Sequence, residues 1–289
     1  MGKKSRKIVR VKTDKKREIP FKSRPFEGFV SELALVACRD ILPAATIRVK
    51  TTPAYGAREV IICSFLPEVA IAFVREDGTP MAAMQIQAHS GDASHDLAIA
   101  LISAINAADS GKTGAIAVDV TDESPELAEV IDPATPMDIV IEKDFGFWLD
   151  PNADQTPEVV QAMEQSSMSL VPTEAVPGVE GAWTAEMNRN FVRWVRPTGE
   201  REDLDALARL RAAGELSVGK DSKFVGAFRT CGLLIPVWEI PDASTAADLS
   251  TAMIALEKSL AAALKDDTPL SYEEKRARDG IISRQVDIR

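Results

Sequence analysis

The sequence predicts an α+β protein, with antiparallel sheets and helices built from repeated helix–hairpin–helix units. Three observations support this. Strand-type runs come as adjacent pairs joined by turn residues, rather than alternating singly with helices. Longer runs carry apolar residues at helical spacing and open on capping residues. The order helix–strand–strand–helix recurs over residues 31–107, 124–167 and 202–265.

In the first stretch, Ser31–Ile41 reads as a helix with Leu33, Val36, Ala37 and Ile41 on one face. Ala45–Val49, Glu59–Phe65, Val69–Arg75 and Pro80–Gln87 read as strands, with Glu76-Asp77-Gly78 turning the last two into a hairpin. Ser90-Gly91-Asp92 opens a helix over Ala93–Ala107 that buries Leu97, Leu101 and Ile105. In the middle stretch, Ser124-Pro125-Glu126 and Thr156-Pro157-Glu158 read as cap, proline at the first helical position and acid in the first turn. Met137–Glu142 and Phe145–Leu149 read as strands between them.

Gly181–Met187 and Phe191–Arg196 form a further hairpin around Asn188–Asn190. In the third stretch, Glu202–Ala213 is a helix stopped by Gly214, and Lys223–Thr230 and Leu233–Ile240 are strands. Thr245-x-x-Asp248 boxes the start of a helix burying Leu249, Met253, Leu256, Leu260 and Leu264. Ser271-Tyr272-Glu273-Glu274 caps a last helix ended by Gly280, and residues 281–289 alternate as a final strand. A local match of Ile41–Val49 to Ile131–Val140 is the one sign of duplication.

The chain therefore divides into a disordered basic arm (1–24), a first α+β unit (25–114), a second region of one or two packed units (115–270), and a C-terminal helix and strand (271–289). The boundary falls in the Asp109–Gly114 loop. The charge follows this division. Of 34 Lys+Arg and 44 Asp+Glu in 289 residues, the arm holds 11 and 2, a net +9, which leaves −19 for the rest. A terminal block of like charge is a solvated arm suited to a polyanion. Its cations are Lys3, Lys4, Arg6, Lys7, Arg10, Lys12, Lys15, Lys16 and Arg17, followed by Lys22 and Arg24. Phe21 and Phe26 lie outside this cluster, so the arm is expected to grip backbone phosphates rather than read bases. Lys275, Arg276, Arg278 and Arg284 offer a second contact near the other end.

Other chemistries find little support. Cys38, Cys63 and Cys231 are widely separated in apolar runs, as buried thiols of a reducing cytosol are. No apolar run follows the basic start as a secretory signal would require, and Met1-Gly2 lacks the myristoylation pattern, so a cytoplasmic protein is expected. Ser110-Gly111-Lys112-Thr113 lacks the upstream glycine and the strand–helix context of a phosphate loop, and no G-x-G-x-x-G occurs. No cofactor is called for. His89 and His95 are the only histidines, and with Asp92 they are the one candidate for an enzymatic or metal centre. The plainer reading of Asp92 and Asp96 is as acids at a helix start. Glu123, Asp150 and Asp154 select no acid–base pair. Arg193 and Arg196 interleave with Phe191 and Trp194 as in a base-stacking strand, but core packing is the plainer role of the aromatics.

Several strings together resemble one family: Arg24-Pro25-Phe26-Glu27-Gly28, Ile41-Leu42-Pro43-Ala44-Ala45-Thr46, Ser90-Gly91-Asp92 with Asp96-Leu97-Ala98, Val192-Arg193-Trp194-Val195, Gly232-Leu233-Leu234-Ile235-Pro236-Val237-Trp238, and Glu273–Arg278 with Ser283-Arg284-Gln285. Over about residues 24–289 the chain is similar to an actinobacterial family of unknown function. The resemblance implies no catalytic residues. It implies that members can carry an N-terminal zinc module of the SecA-tail type, whereas residues 1–37 here contain neither Cys nor His.

These readings lead to a non-enzymatic adaptor whose arm docks on RNA, the ribosome or DNA. The alternatives are an enzyme centred on His89, Asp92 and His95, and a partner-binding protein of the secretion-chaperone kind.

Overall fold

A computed structural model describes residues 19–154 and 156–282. The chain order is α1 (Glu32–Asp40), β1 (Ala45–Lys50), β2 (Glu59–Cys63), β3 (Ala72–Val74), β4 (Pro80–Ala83), α2 (Ala93–Asp109), β5 (Gly114–Ile116), α3 (Leu127–Val130), β6 (Ile139–Ile141), α4 (Pro157–Ser167), β7 (Ala182–Glu186), β8 (Asn190–Trp194), α5 (Glu200–Ala213), β9 (Lys223–Thr230), β10 (Leu233–Ile240), α6 (Ala246–Ala263) and α7 (Tyr272–Ile282). The strands form a six-stranded sheet, β5-β3-β4-β2-β1-β6, and a four-stranded sheet, β7-β8-β10-β9.

Strand alternation sorts side chains to the two faces of the first sheet. Val60 and Ile62 of β2 and Ala82 of β4 face α1 and α2. Ile61, Cys63, Met81 and Ala83 face the other way, onto Phe147. This explains why Phe145–Leu149 is not a strand. Its aromatics fold into a 3-10 turn, Gly146–Trp148, that covers the far face of the sheet. The Trp148 indole donates to the Phe65 carbonyl at 2.8 Å, and Phe145 and Trp148 stack at 4.4 Å. A large aromatic gains more by covering open apolar surface than by completing a ladder.

The second sheet has two apolar faces. Trp183, Val195, Leu233 and Ile235 join the core of the first sheet, while Val192, Trp194, Leu234 and Trp238 pack under α5 and α6. Pro236 fits the central strand β10 because its missing N–H points toward β8 at the end of their ladder, which stops at Val237↔Arg193. Gly181, at φ +78°, is required where the chain crosses itself: a Cβ there would lie 2.6 Å from the Val195 carbonyl oxygen.

Several expectations are corrected. The first sheet is mixed rather than antiparallel throughout, because β2 and β4 pair in parallel. Residues 64–71 carry the chain past the place of β4, so the β3–β4 hairpin inserts its second strand beside β2. Repeated helix–hairpin–helix units are not found. Only residues 202–265 have that order (α5, β9, β10, α6); the first stretch holds four strands between its helices and the middle stretch holds one. The two segments of the apparent duplication contribute β1 and β6, which lie side by side, with Ile47 opposite Ile139. β5 and β6, at and beyond the loop expected to end the first unit, are the outer strands of the first sheet. Glu126, not Ser124, caps α3, in a reciprocal box with Glu129. Helix α7 runs through Gly280 to Ile282, because burying Ile281 outweighs the cost of about 1 kcal/mol for a helical glycine. The rest of the expected final strand, 283–289, lies outside the described residues.

Candidate functional site

The arm cations Lys3, Lys4, Arg6, Lys7, Arg10, Lys12, Lys15, Lys16 and Arg17 lie outside the described residues. The point where that segment joins the body is described, and it is firmly held. Arg24 forms a bidentate pair with Glu32, its Nε and Nη2 each 2.7 Å from the carboxylate, and donates a third bond to the Pro197 carbonyl. The Glu32 contact holds the Arg24 guanidinium above its ordinary pKa, against its own desolvation. The Lys22 amide donates to the Gly91 carbonyl at 3.1 Å, and its ammonium reaches Ser94 and Glu126. Residues 19–24, expected to belong to the disordered arm, are thus part of the folded body.

The C-terminal cations are divided. Arg284 lies outside the described residues. Lys275 and Arg276 are exposed on α7. Arg278 is paired with Asp205 of α5 at 3.1 Å, and Arg209 beside it is shared between Asp266 and Glu274. Backbone hydrogen bonding at Ser271 holds the Glu274 carboxyl below its usual range. Carboxylates therefore surround this second cluster.

The two histidines line different grooves, and both act on the Asp96 carboxyl. Asp92 caps α2, its Oδ1 accepting from the Ser94 amide at 2.8 Å and the His95 amide at 3.3 Å. The His95 Nε2 lies 3.2 Å from the Val120 carbonyl, and since a carbonyl only accepts, that nitrogen carries the proton. His95 borders a groove with Ile19–Lys22 and Glu123. His89 borders a different groove and lies 3.9 Å from Asp96, whose buried carboxyl is raised in pKa chiefly by desolvation. Among the described residues, no group of three or more His, Cys, Asp and Glu is placed to hold a metal ion.

The stacking-strand pattern resolves into structure. Trp194 is fully buried, and Arg196 lies over its ring at 4.3 Å while pairing with the buried Asp203 at 3.1 Å. Burial is the main cause raising the Asp203 pKa, and Arg196 opposes it. Arg193 sits between Trp183 and Val237, where desolvation lowers its pKa to about 10. Neither arginine presents an open aromatic platform.

The sequence reading missed the groove beside His89. It measures about 760 Å³, within the ~300–1,000 Å³ usual for ligand clefts. Its lining combines apolar Phe65, Val69 and Ile86 with Arg39, Asp40 and Thr230. The Thr230 hydroxyl donates to Asp40 at 2.7 Å and Arg39 Nη1 bonds the same carboxylate at 3.0 Å. These residues lie about 190 apart in sequence, so no local motif announces them.

Residues 25–289 match the model of a family described as a family of unknown function, DUF5926. The chain belongs to this family. The DUF5926 match starts after the basic segment, so the arm lies outside the matched region and the groove and both sheets lie within it. No curated protein and no solved structure matches the chain. Among the described residues, no helix is long and apolar enough to cross a membrane.

Proposed function

We propose that this DUF5926 protein is a non-enzymatic cytoplasmic adaptor whose N-terminal segment docks on the phosphate backbone of nucleic acid, foremost RNA such as that of the ribosome. The observation that carries the reading is the charge split of +9 over residues 1–24 against −19 over the rest. Lys22 and Arg24 are engaged on the body, which leaves nine cations within residues 1–17 for phosphates. Cations clustered on a tether release condensed counterions when they meet a polyanion, and the acidic body keeps the rest of the protein off it. Exposed Lys275 and Arg276 add at most a minor contact, since Arg278 is spent on Asp205.

The test is fluorescence anisotropy with labelled oligo(U) and with a DNA duplex. Full-length protein is compared with a variant in which the nine cations of residues 1–17 are glutamine. Neutralisation is expected to weaken binding at least about a hundredfold at low salt. Equal affinity of the two proteins for both probes refutes the reading.

A further inference from the structure

Of the ten phenylalanines and four tryptophans, all within the described residues, Phe21 alone is exposed, at 80%. Its backbone is nevertheless held. It lies on Gly91, where an added Cβ would sit 3.7 Å from the Phe21 Cα. On one side the ring of Pro20 fixes φ. On the other, the Lys22 amide donates to the Gly91 carbonyl at 3.1 Å, and Arg24 is bound to Glu32 and to the Pro197 carbonyl. The aromatic ring is therefore presented to water from a fixed backbone, with two side-chain torsions left to turn, and ordering it against a ligand costs little entropy.

Phe21 borders the groove beside His95, which measures about 550 Å³, and Pro20 and Pro125 extend its apolar surface. Asp92, Glu123 and Glu126 also line it. Asp92 is engaged by the start of α2, and Glu126 by Lys22 and the start of α3. Carboxylates repel phosphate, so a nucleic-acid backbone has no place inside this groove, whereas an uncharged base is not turned away. Cations stand close by on the chain. Arg17, the last of the nine, is four residues before Phe21, so their Cα atoms are no more than about 14 Å apart.

From this placement we infer that Phe21 is a stacking platform for an unpaired base of single-stranded RNA. This rests on the docking of the basic arm on phosphates, proposed above, and names the kind of strand that gains most from it. The arm holds the backbone, and the base nearest its root lies on the Phe21 ring. Every base has a π-face, so the contact adds affinity without reading sequence. A base in a duplex cannot make it without first leaving its own stack, which is costly. A side chain of a protein partner would also cover the ring, but nine cations beside it favour a polyanion.

The probes are labelled oligo(U), an abasic strand of the same length and a blunt RNA duplex, each titrated with full-length protein at low salt and read by fluorescence anisotropy. Phe21→Ala is expected to weaken oligo(U) binding at least about fivefold and to change duplex binding by less than about twofold. The abasic strand keeps the phosphates alone, so the parent and Phe21→Ala should bind it alike. Phe21→Trp should keep or raise the affinity for oligo(U), and oligo(U) should quench the fluorescence of the added indole while the duplex leaves it unchanged. The variant with glutamine at the nine cations of residues 1–17 separates the two claims. If it binds oligo(U) and duplex as the parent does, the reading of the arm fails and the stacking inference fails with it. If it loses both probes while Phe21→Ala binds oligo(U) within about twofold of the parent, or weakens oligo(U) and duplex equally, the arm reading stands and the stacking inference is overturned.

Discussion

Replacing Arg24 with alanine tests whether residues 19–24 are structure rather than arm. The substitution removes two bonds of 2.7 Å to Glu32 and one of 3.0 Å to the Pro197 carbonyl. It leaves a carboxylate whose side chain is 10% exposed without its counter-ion. Breaking a buried pair from one side costs roughly 3–5 kcal/mol, and the 22% exposure of Arg24 puts the expected loss at the lower end, about 3 kcal/mol. For a folded body of this size that is a fall in Tm of roughly 6–12 °C. Glu32→Ala should cost less, because the guanidinium it strands can turn partly to water. The double variant should recover about 2 kcal/mol relative to the sum of the two singles, since the pair acts as a unit. Urea and thermal unfolding of the four proteins measure each value. A loss below about 1 kcal/mol for Arg24→Ala, or additivity within about 0.5 kcal/mol, refutes the anchoring argument.

Two further outcomes follow from local chemistry. Hydrogen bonds from Arg75 hold the Asp77 carboxyl at about 2, below its ordinary 3.8, so its stabilisation is present above pH 4 and is lost as pH falls toward 2. Asp77→Asn should remove at most about 1 kcal/mol at pH 6, because the pair with Arg75 is screened at an exposed turn, and almost nothing at pH 2, as read by urea unfolding across that range. Asp96 and Asp203, raised by burial, act in the opposite direction, so the comparison with the parent protein isolates Asp77. Burial pushes the Cys38 thiol to about 12 and Cys63 well above its usual range. Iodoacetamide at pH 8 should leave both intact in the native protein and alkylate all three cysteines in urea, as mass spectrometry will show.

The sequence reading recovered what local rules govern. The hairpin strands Lys223–Thr230 and Leu233–Ile240, the left-handed Gly214 cap and the Thr245–Asp248 box stand where turn and cap chemistry put them. It failed where distant partners decide. Phe145–Leu149 has strand composition but is drawn onto the far face of the first sheet, and β6 pairs with a strand about 95 residues earlier. Arg24 and Arg196 count as cations in any tally of charge, yet each is committed to a carboxylate that only the fold brings within reach. The groove was invisible for the same reason: α1, the segment after β4, and the β9–β10 hairpin each supply a part.

The salt dependence of RNA binding tests the central claim most directly. If the basic segment neutralises about five phosphates, log affinity should fall against log salt with a slope near −4, and the glutamine-substituted segment should bring that slope close to zero. A slope near zero for the parent protein, or a steep slope that survives the substitution, contradicts the account.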